Sequence, residues 1–188
     1  MTSKLDRRKK YTRMVLKESL MTLLKEKPIS SITVKELCEV ADINRSTFYS
    51  HYSDQFDLLY KIEEEIIEDM NETLSQYNFT KEEEEALQMT EKLLEYVAAN
   101  KDICQTLFSE HGDPSFQKRV MLIAHQYTVK GQMASNEVDK ETSEYISMFV
   151  VSGSIHVIKR WLDLGMDKSP KEMAELVIKL TNKGLGSF

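Results

Sequence analysis

The chain has 188 residues, 41% hydrophobic and 30% charged, with only 6 Gly and 3 Pro; it can bury one sizeable core and is too poor in turn residues for a sheet protein, so an all-α fold is expected. The net charge of −6 divides unevenly, with 11 Lys and Arg against 6 Asp and Glu in residues 1–52 and 14 against 25 in the remainder, which puts a polyanion-binding end on an acidic body. Cys38 and Cys104 lack any CxxC or Cys/His spacing, which argues against a disulfide framework or structural zinc site. The longest uncharged stretch, at 145–158, is far shorter than a membrane span, and no apolar segment follows the basic N-terminus as a secretory signal requires, so a cytoplasmic protein with no membrane partner is expected.

In chain order, "KLDRRKK" reads as a loose basic arm. From Arg7 to Lys27 the apolar positions Tyr11, Met14, Val15, Leu16, Leu20, Leu23 and Leu24 follow helical spacing, with Pro28 just after the stop, as a first helix. Thr33 and Glu36 make a capping box that starts a second, short helix ending near Asp42. Asn44 caps a third helix, on which Phe48 and Tyr52, four apart, share an inward face. Ser53 or Asp54 caps a fourth that carries Phe56, Leu58, Leu59, Ile62, Ile66, Ile67 and Met70 to about Tyr77.

The polar "SQYNFTK" reads as a joint, and Thr80 with Glu83 as another capping box, its acidic run lying where the helix dipole favours negative charge. Further helices are expected over 82–99, 102–108, 114–132 and 140–164. A last helix opens at "SPKE", with Ser169 as cap and Pro170 at the first helical position, and ends near Gly184. That makes about nine helices.

The second and third helices, joined by "ADIN", have the length and turn of a helix-turn-helix, whose second helix enters the DNA major groove. With Phe48 and Tyr52 turned to the core, Arg45, Ser46 and Tyr49 fall on another face, and Thr47, Ser50 and His51 on its edges. Arg reads guanine bidentately, hydroxyls reach bases or phosphates, and phenols bind phosphate.

The segment "ITVKELCEVADINRSTFYSHYSDQFDLL", residues 32–59, resembles the helix-turn-helix signature of the TetR family of bacterial transcription regulators, through Thr33, Leu37, Ala41, the run Thr47, Phe48, Tyr49, His51 and Tyr52, and Leu58. The resemblance implies that Thr33, Arg45, Ser46, Thr47, Tyr49 and His51 contact double-stranded DNA, with Phe48 and Tyr52 structural. It also implies a DNA-binding domain at 1–53, with three helices, and a larger helical effector-binding and dimerisation domain at 54–188. Two positions depart from the family pattern: Gln55 stands where many relatives have a phosphate-contacting Lys, and Asp42 where many have Gly in the turn.

The segment "MFVVSGSIHVIKRW" is apolar or small almost all round, so its helix needs cover on more than one face. The expectation is a homodimer in which the 140–164 helix and the last helix pack against their copies through Phe149, Ser152, Gly153, His156, Met173 and Val177. A small-molecule effector site is expected among helices 5 to 8, lined by Tyr96, Phe108, His111, Phe116, Met121, His125, Phe149 and Trp161, residue types that equally suit an ordinary core.

His111 and His125 lie 7 and 14 residues apart from their neighbours in the set with Cys104, unlike a compact metal motif, and nothing implies a cofactor. No Gly-rich phosphate loop or nucleophile elbow points to an enzyme. The function read from these residues is a repressor released by its effector from a palindromic operator. The second reading is a regulator or activator controlled by a protein co-regulator docked on the C-terminal domain.

Overall fold

The computed structural model describes residues 4–76, 83–133, 139–184 and 186; the expected capping box at Thr80 and most of the joint "SQYNFTK" lie outside them. The described elements are α1 (Lys4–Leu24), a 3-10 turn (Ile29–Ser31), α2 (Val34–Val40), α3 (Arg45–Tyr49), α4 (Gln55–Ser75), α5 (Glu83–Ala99), α6 (Lys101–Leu107), α7 (Pro114–Met133), α8 (Lys140–Asp163) and α9 (Pro170–Lys183). The fold is all-α. By contacts the chain divides into two compact units: Met1–Ile66 with Thr106–Pro114, and Ile67–Gln105 with Ser115–Phe188. The division falls within α4, after Ile66, and the expected boundary at 53/54 concerns function and is not drawn by contacts.

In the first unit, Leu16, Leu20, Leu24, Ile32, Leu37, Phe48 and Leu58 are fully buried. The expected loose arm is corrected: α1 begins at Lys4, three residues before the expected start at Arg7, because Lys and Arg are good helix formers and no breaker precedes Leu24. Tyr11 and Met14 are exposed, and the inward stripe of α1 includes the buried Thr12 and Ser19 instead. Their hydroxyls donate to the carbonyls of Arg8 at 3.0 Å and Val15 at 2.7 Å, one turn back, which satisfies them without a tertiary partner. The segment Thr106–Pro114 belongs to this unit, where His111 Nδ1 lies 3.2 Å from the Leu24 carbonyl at the end of α1. Gly112 is required there, since a Cβ would stand 2.1 Å from the Leu107 carbonyl oxygen.

In the second unit, α5 packs along α9. Its core gathers Leu94, Val97, Cys104, Trp161, Leu162, Met173 and Ala174. The capping box expected at α9 is present: Ser169 Oγ accepts from Glu172 N at 3.2 Å while Glu172 Oε2 accepts from Ser169 N at 2.8 Å. Among the described residues, no helix is long and apolar enough to cross a membrane.

Candidate nucleic-acid interface

α2 starts at a reciprocal cap. Thr33 Oγ1 accepts from Glu36 N at 3.2 Å, and Glu36 Oε2 accepts from both the Thr33 N–H and hydroxyl at 3.0 Å. Lys27 donates to the other carboxylate oxygen. The Lys27 hydrogen bond first, then those from Thr33, hold the Glu36 carboxyl down at about 2. The Thr33 hydroxyl therefore already spends its proton on Glu36, and it offers a partner an acceptor lone pair more readily than a donor.

α2 ends in a Schellman motif whose left-handed residue is Asp42, at φ 51°. Ile43 N donates to Cys38 O at 3.0 Å and Asp42 N to Glu39 O at 3.4 Å, the nested pair that closes such a terminus. Asp is one of the few L-residues that visits this region readily, so the turn forms without Gly.

Asn44 then opens α3, and its side-chain oxygen accepts from Thr47 N at 2.8 Å, Thr47 Oγ1 at 2.9 Å and Ser46 Oγ at 2.6 Å. An amide oxygen has two lone pairs, so three donors overfill it. One of the two hydroxyls can swing to a phosphate while the backbone cap stays closed.

Phe48 is fully buried and Tyr52 nearly so, as their four-residue spacing predicts, while Arg45, Ser46 and Ser50 are exposed and Tyr49 is 57% exposed. Phe48 meets Tyr49 edge-on and Tyr52 at a tilt, centroids 5.5 and 5.8 Å apart. The inner rings anchor a five-residue helix too short to hold itself, and the outer face carries a guanidinium, hydroxyls and a phenol. Thr47 and His51 are half-buried at its edges. Burial first, then the charges of Arg13 and Lys9, push the His51 pKa down.

α4 opens on Asp54, whose Oδ1 accepts from Asp57 N at 2.8 Å, leaving Gln55 as its first residue. The sequence reading passed over Lys61. This cation donates to Asp57 Oδ2 at 3.1 Å, approaches the His51 carbonyl at 3.5 Å and lies 5.1 Å from the Tyr52 ring centroid. Its four-residue spacing from Asp57 was the available signal.

The residues expected to line an effector site are divided between the two units. Phe108 and His111 lie in the first unit, the others in the second. Trp161 is buried in the core of the second unit, with its indole N–H donating to Lys168 O at 2.9 Å. Phe116 is fully buried, Tyr96 donates its phenol to Asp69 at 2.9 Å, Met121 is half-buried, and His125 Nδ1 pairs with the buried Ser147 hydroxyl at 2.7 Å. Phe149 is corrected outright, since at 82% exposed it lines no interior site.

Of the expected dimer contacts, Met173 and Val177 are corrected as well. They are 4% and 8% exposed, covered by the chain's own helices and leaving little surface for a second copy. Phe149, Gly153 and His156 are exposed on α8 and Ser152 is half-buried beside them. Among the described residues no three His, Cys, Asp or Glu side chains come together to hold a metal ion.

Residues 84–183 match a TetR C-terminal family described as "Transcriptional regulator C-terminal region". An HTH-type transcriptional regulator of Bacillus subtilis (strain 168), YxbF, is 41% identical over 64 residues, which are 34% of this chain but only 16% of that protein. The dihydroxyacetone kinase operon activator DhaS shares the fold at a TM-score of 0.61 and 17% identity, over 94% of this chain and 97% of that one. So does FadR from Bacillus subtilis, solved in complex with stearoyl-CoA, at a TM-score of 0.62 and 14% identity, over 92% and 98%. At such identities the likeness to these two structures is one of fold.

Proposed function

The chain belongs to the TetR family of transcription regulators, and on that premise we propose that it works in the cytoplasm as a homodimer on a palindromic operator, as a repressor that an effector releases. The carrying observation is α3, which turns Arg45, Ser46 and Tyr49 outward while Phe48 is fully buried beneath them. One such helix contacts a few base pairs; two of them about 34–36 Å apart read successive major grooves on one side of the duplex. An effector then needs only to favour one separation of the two reading heads over another.

The dimer reading is supported by α8, where Tyr145, Met148 and Phe149 are 68%, 63% and 82% exposed on a helix that also carries the exposed Gly153. A second copy of α8 covers such a stripe. The same stripe favours the second reading, a protein co-regulator docked on this unit, and DhaS is by its name an operon activator.

The deciding experiment measures binding to the intergenic DNA flanking the chain's own gene against random DNA of equal length, at two salt concentrations. Preference for the native DNA that persists as salt rises supports operator recognition. Equal, salt-sensitive binding removes that site as the operator. Screening small molecules and a lysate fraction for release of the bound DNA then separates the two readings of the effector.

A further inference from the structure

The first unit holds a half-open groove of about 710 Å³ between α1 and α4, whose lining has six cations, Arg7, Lys9, Lys10, Arg13, Lys17 and Lys61, and one acid, Glu65, beside Tyr52 and two aliphatic side chains. Six cations around one concavity repel one another, so their arrangement is tolerable only where solvent or an anion compensates it. Two of them are already engaged: Lys17 pairs with Glu65 at 2.9 Å, and Lys61 with Asp57 at 3.1 Å. Arg7, Lys9, Lys10 and Arg13 form no ion pair with the residues whose side chains are described, and all four are exposed.

We propose that this groove is a second phosphate-binding surface for duplex DNA, in which Lys9, Lys10 and Arg13, with Arg7, grip the backbone beside the bases that α3 reads. The proposal rests on the DNA-binding reading of α3 and extends it to α1. Three observations select duplex DNA among polyanions.

The first is continuity: Tyr52 and Lys61 line the groove and lie just past α3, with Lys61 3.5 Å from the His51 carbonyl and 5.1 Å from the Tyr52 ring centroid, so groove and reading helix adjoin. The second is length. From Arg7 to Arg13 a helix rises about 9 Å, over which one strand of a duplex presents roughly two to three phosphates (about 3.4 Å apart), so this row of cations spans successive phosphates of a backbone and not a single anion. The third is what α4 lacks at its start: Gln55 is neutral, and the first basic residue of that helix, Lys61, is tied to Asp57. A backbone contact that α4 does not offer is available from α1.

A small anionic effector is the competing occupant. Such a site would bury its cations to gain affinity and selectivity, whereas these remain solvated, as suits a surface that exchanges counterions for phosphates.

The test uses the full chain carrying Lys9→Ala, Lys10→Ala and Arg13→Ala together. The control carries Lys118→Ala, Lys140→Ala and Lys171→Ala, which removes the same charge from exposed positions of the second unit. Fluorescence anisotropy with a mixed-sequence duplex of about three helical turns is followed across salt concentrations, with inorganic polyphosphate as a second probe. Circular dichroism melting establishes that each variant is folded.

Each lost phosphate contact flattens the slope of log affinity against log salt by about 0.9, so the groove variant is expected to lose about 2–3 from the slope. Equivalently, a fourfold rise in salt costs the wild type about 40 times more affinity than it costs this variant. The loss is uniform across duplex sequences, and the control keeps the wild-type slope. A wild type that binds duplex steeply and a groove variant with the same slope overturn the α1 surface alone. A wild type that binds no duplex overturns the DNA-binding reading with it. Polyphosphate binding that needs the three cations, on a chain whose duplex slope does not, reassigns the groove to a free polyanion.

Discussion

Phe48 and Tyr49, neighbours in sequence, stand edge to face with ring planes 89° apart and centroids 5.5 Å apart, the first fully buried and the second 57% exposed. One ring secures the helix and the next is left for a partner. Tyr49→Phe keeps the edge contact and removes only the phenol, so melting is expected unchanged while operator affinity falls several-fold, the worth of one hydrogen bond of about 1 kcal/mol. Phe48→Ala is the counterpart: it empties a core position and is expected to cost about 3–5 kcal/mol in denaturant unfolding. Operator affinity untouched by Tyr49→Phe removes the phenol from the contact set.

The left-handed Asp42 yields a second prediction. Its carboxylate is exposed two residues before the cap of α3, where it repels phosphate. Asp42→Gly relieves the backbone but frees the unfolded chain, so stability is expected to stay within about 1 kcal/mol, while low-salt affinity for any duplex rises. Asp42→Val puts a β-branched residue at φ 51° and is expected to lose about 1–2 kcal/mol. Equal stability of the Val and Gly variants in urea titrations counts against the strain argument.

Local rules made much of this fold legible before any coordinates. The caps at Thr33, Asn44 and Ser169 are written in residues three apart, and the inward turn of Phe48 and Tyr52 follows from helical period alone. What was missed depends on partners distant in sequence. No local pattern says that His111 meets a carbonyl 87 residues earlier, or that Lys61 returns to the end of α3.

The expected effector lining depends on distant partners as well. Aromatics and methionines at helical spacing mark a face, but the angles between helices decide whether two faces enclose a space, and here Trp161 fills the core while Phe149 points outward. The cations of "KLDRRKK" carry no apolar periodicity of their own, so sequence alone does not join them to Arg13 and Lys17. In a helix they become a row.

His51 should give binding and folding opposite responses to pH. It is half-buried, faces Arg13 and Lys9 of α1, lies 6.1 Å ring to ring from Tyr52 and has Lys61 at its carbonyl, and its folded pKa is below the ordinary 6.5. As pH falls through 6.5 toward that lower value the unfolded chain binds the proton first, so free-protein stability declines across this window. Phosphates laid against Arg13 and Lys9 offset their charge and let His51 protonate, so DNA affinity is expected to rise over the same fall in pH. His51→Gln should flatten both profiles. An affinity profile unaffected by His51→Gln places the ring away from the phosphates.

Phe149 tests the assembly. At 82% exposed, and with Tyr145 and Met148 also exposed on α8, it contributes almost nothing to the packing of its own chain, so Phe149→Arg should melt like the wild type. Two copies of that side chain facing each other across a twofold axis place like charges together in a desolvated contact, which costs far more than the lost apolar area alone. Sedimentation at micromolar concentration is therefore expected to show a dimer for the wild type and a monomer for Phe149→Arg, with operator affinity falling because the two reading heads are no longer joined. A wild type that sediments as a monomer removes the dimer, and a variant that stays dimeric moves the contact off this face of α8. If Phe149→Arg remains dimeric yet no longer responds to a lysate fraction that released the wild type from DNA, the exposed stripe belongs to a protein co-regulator.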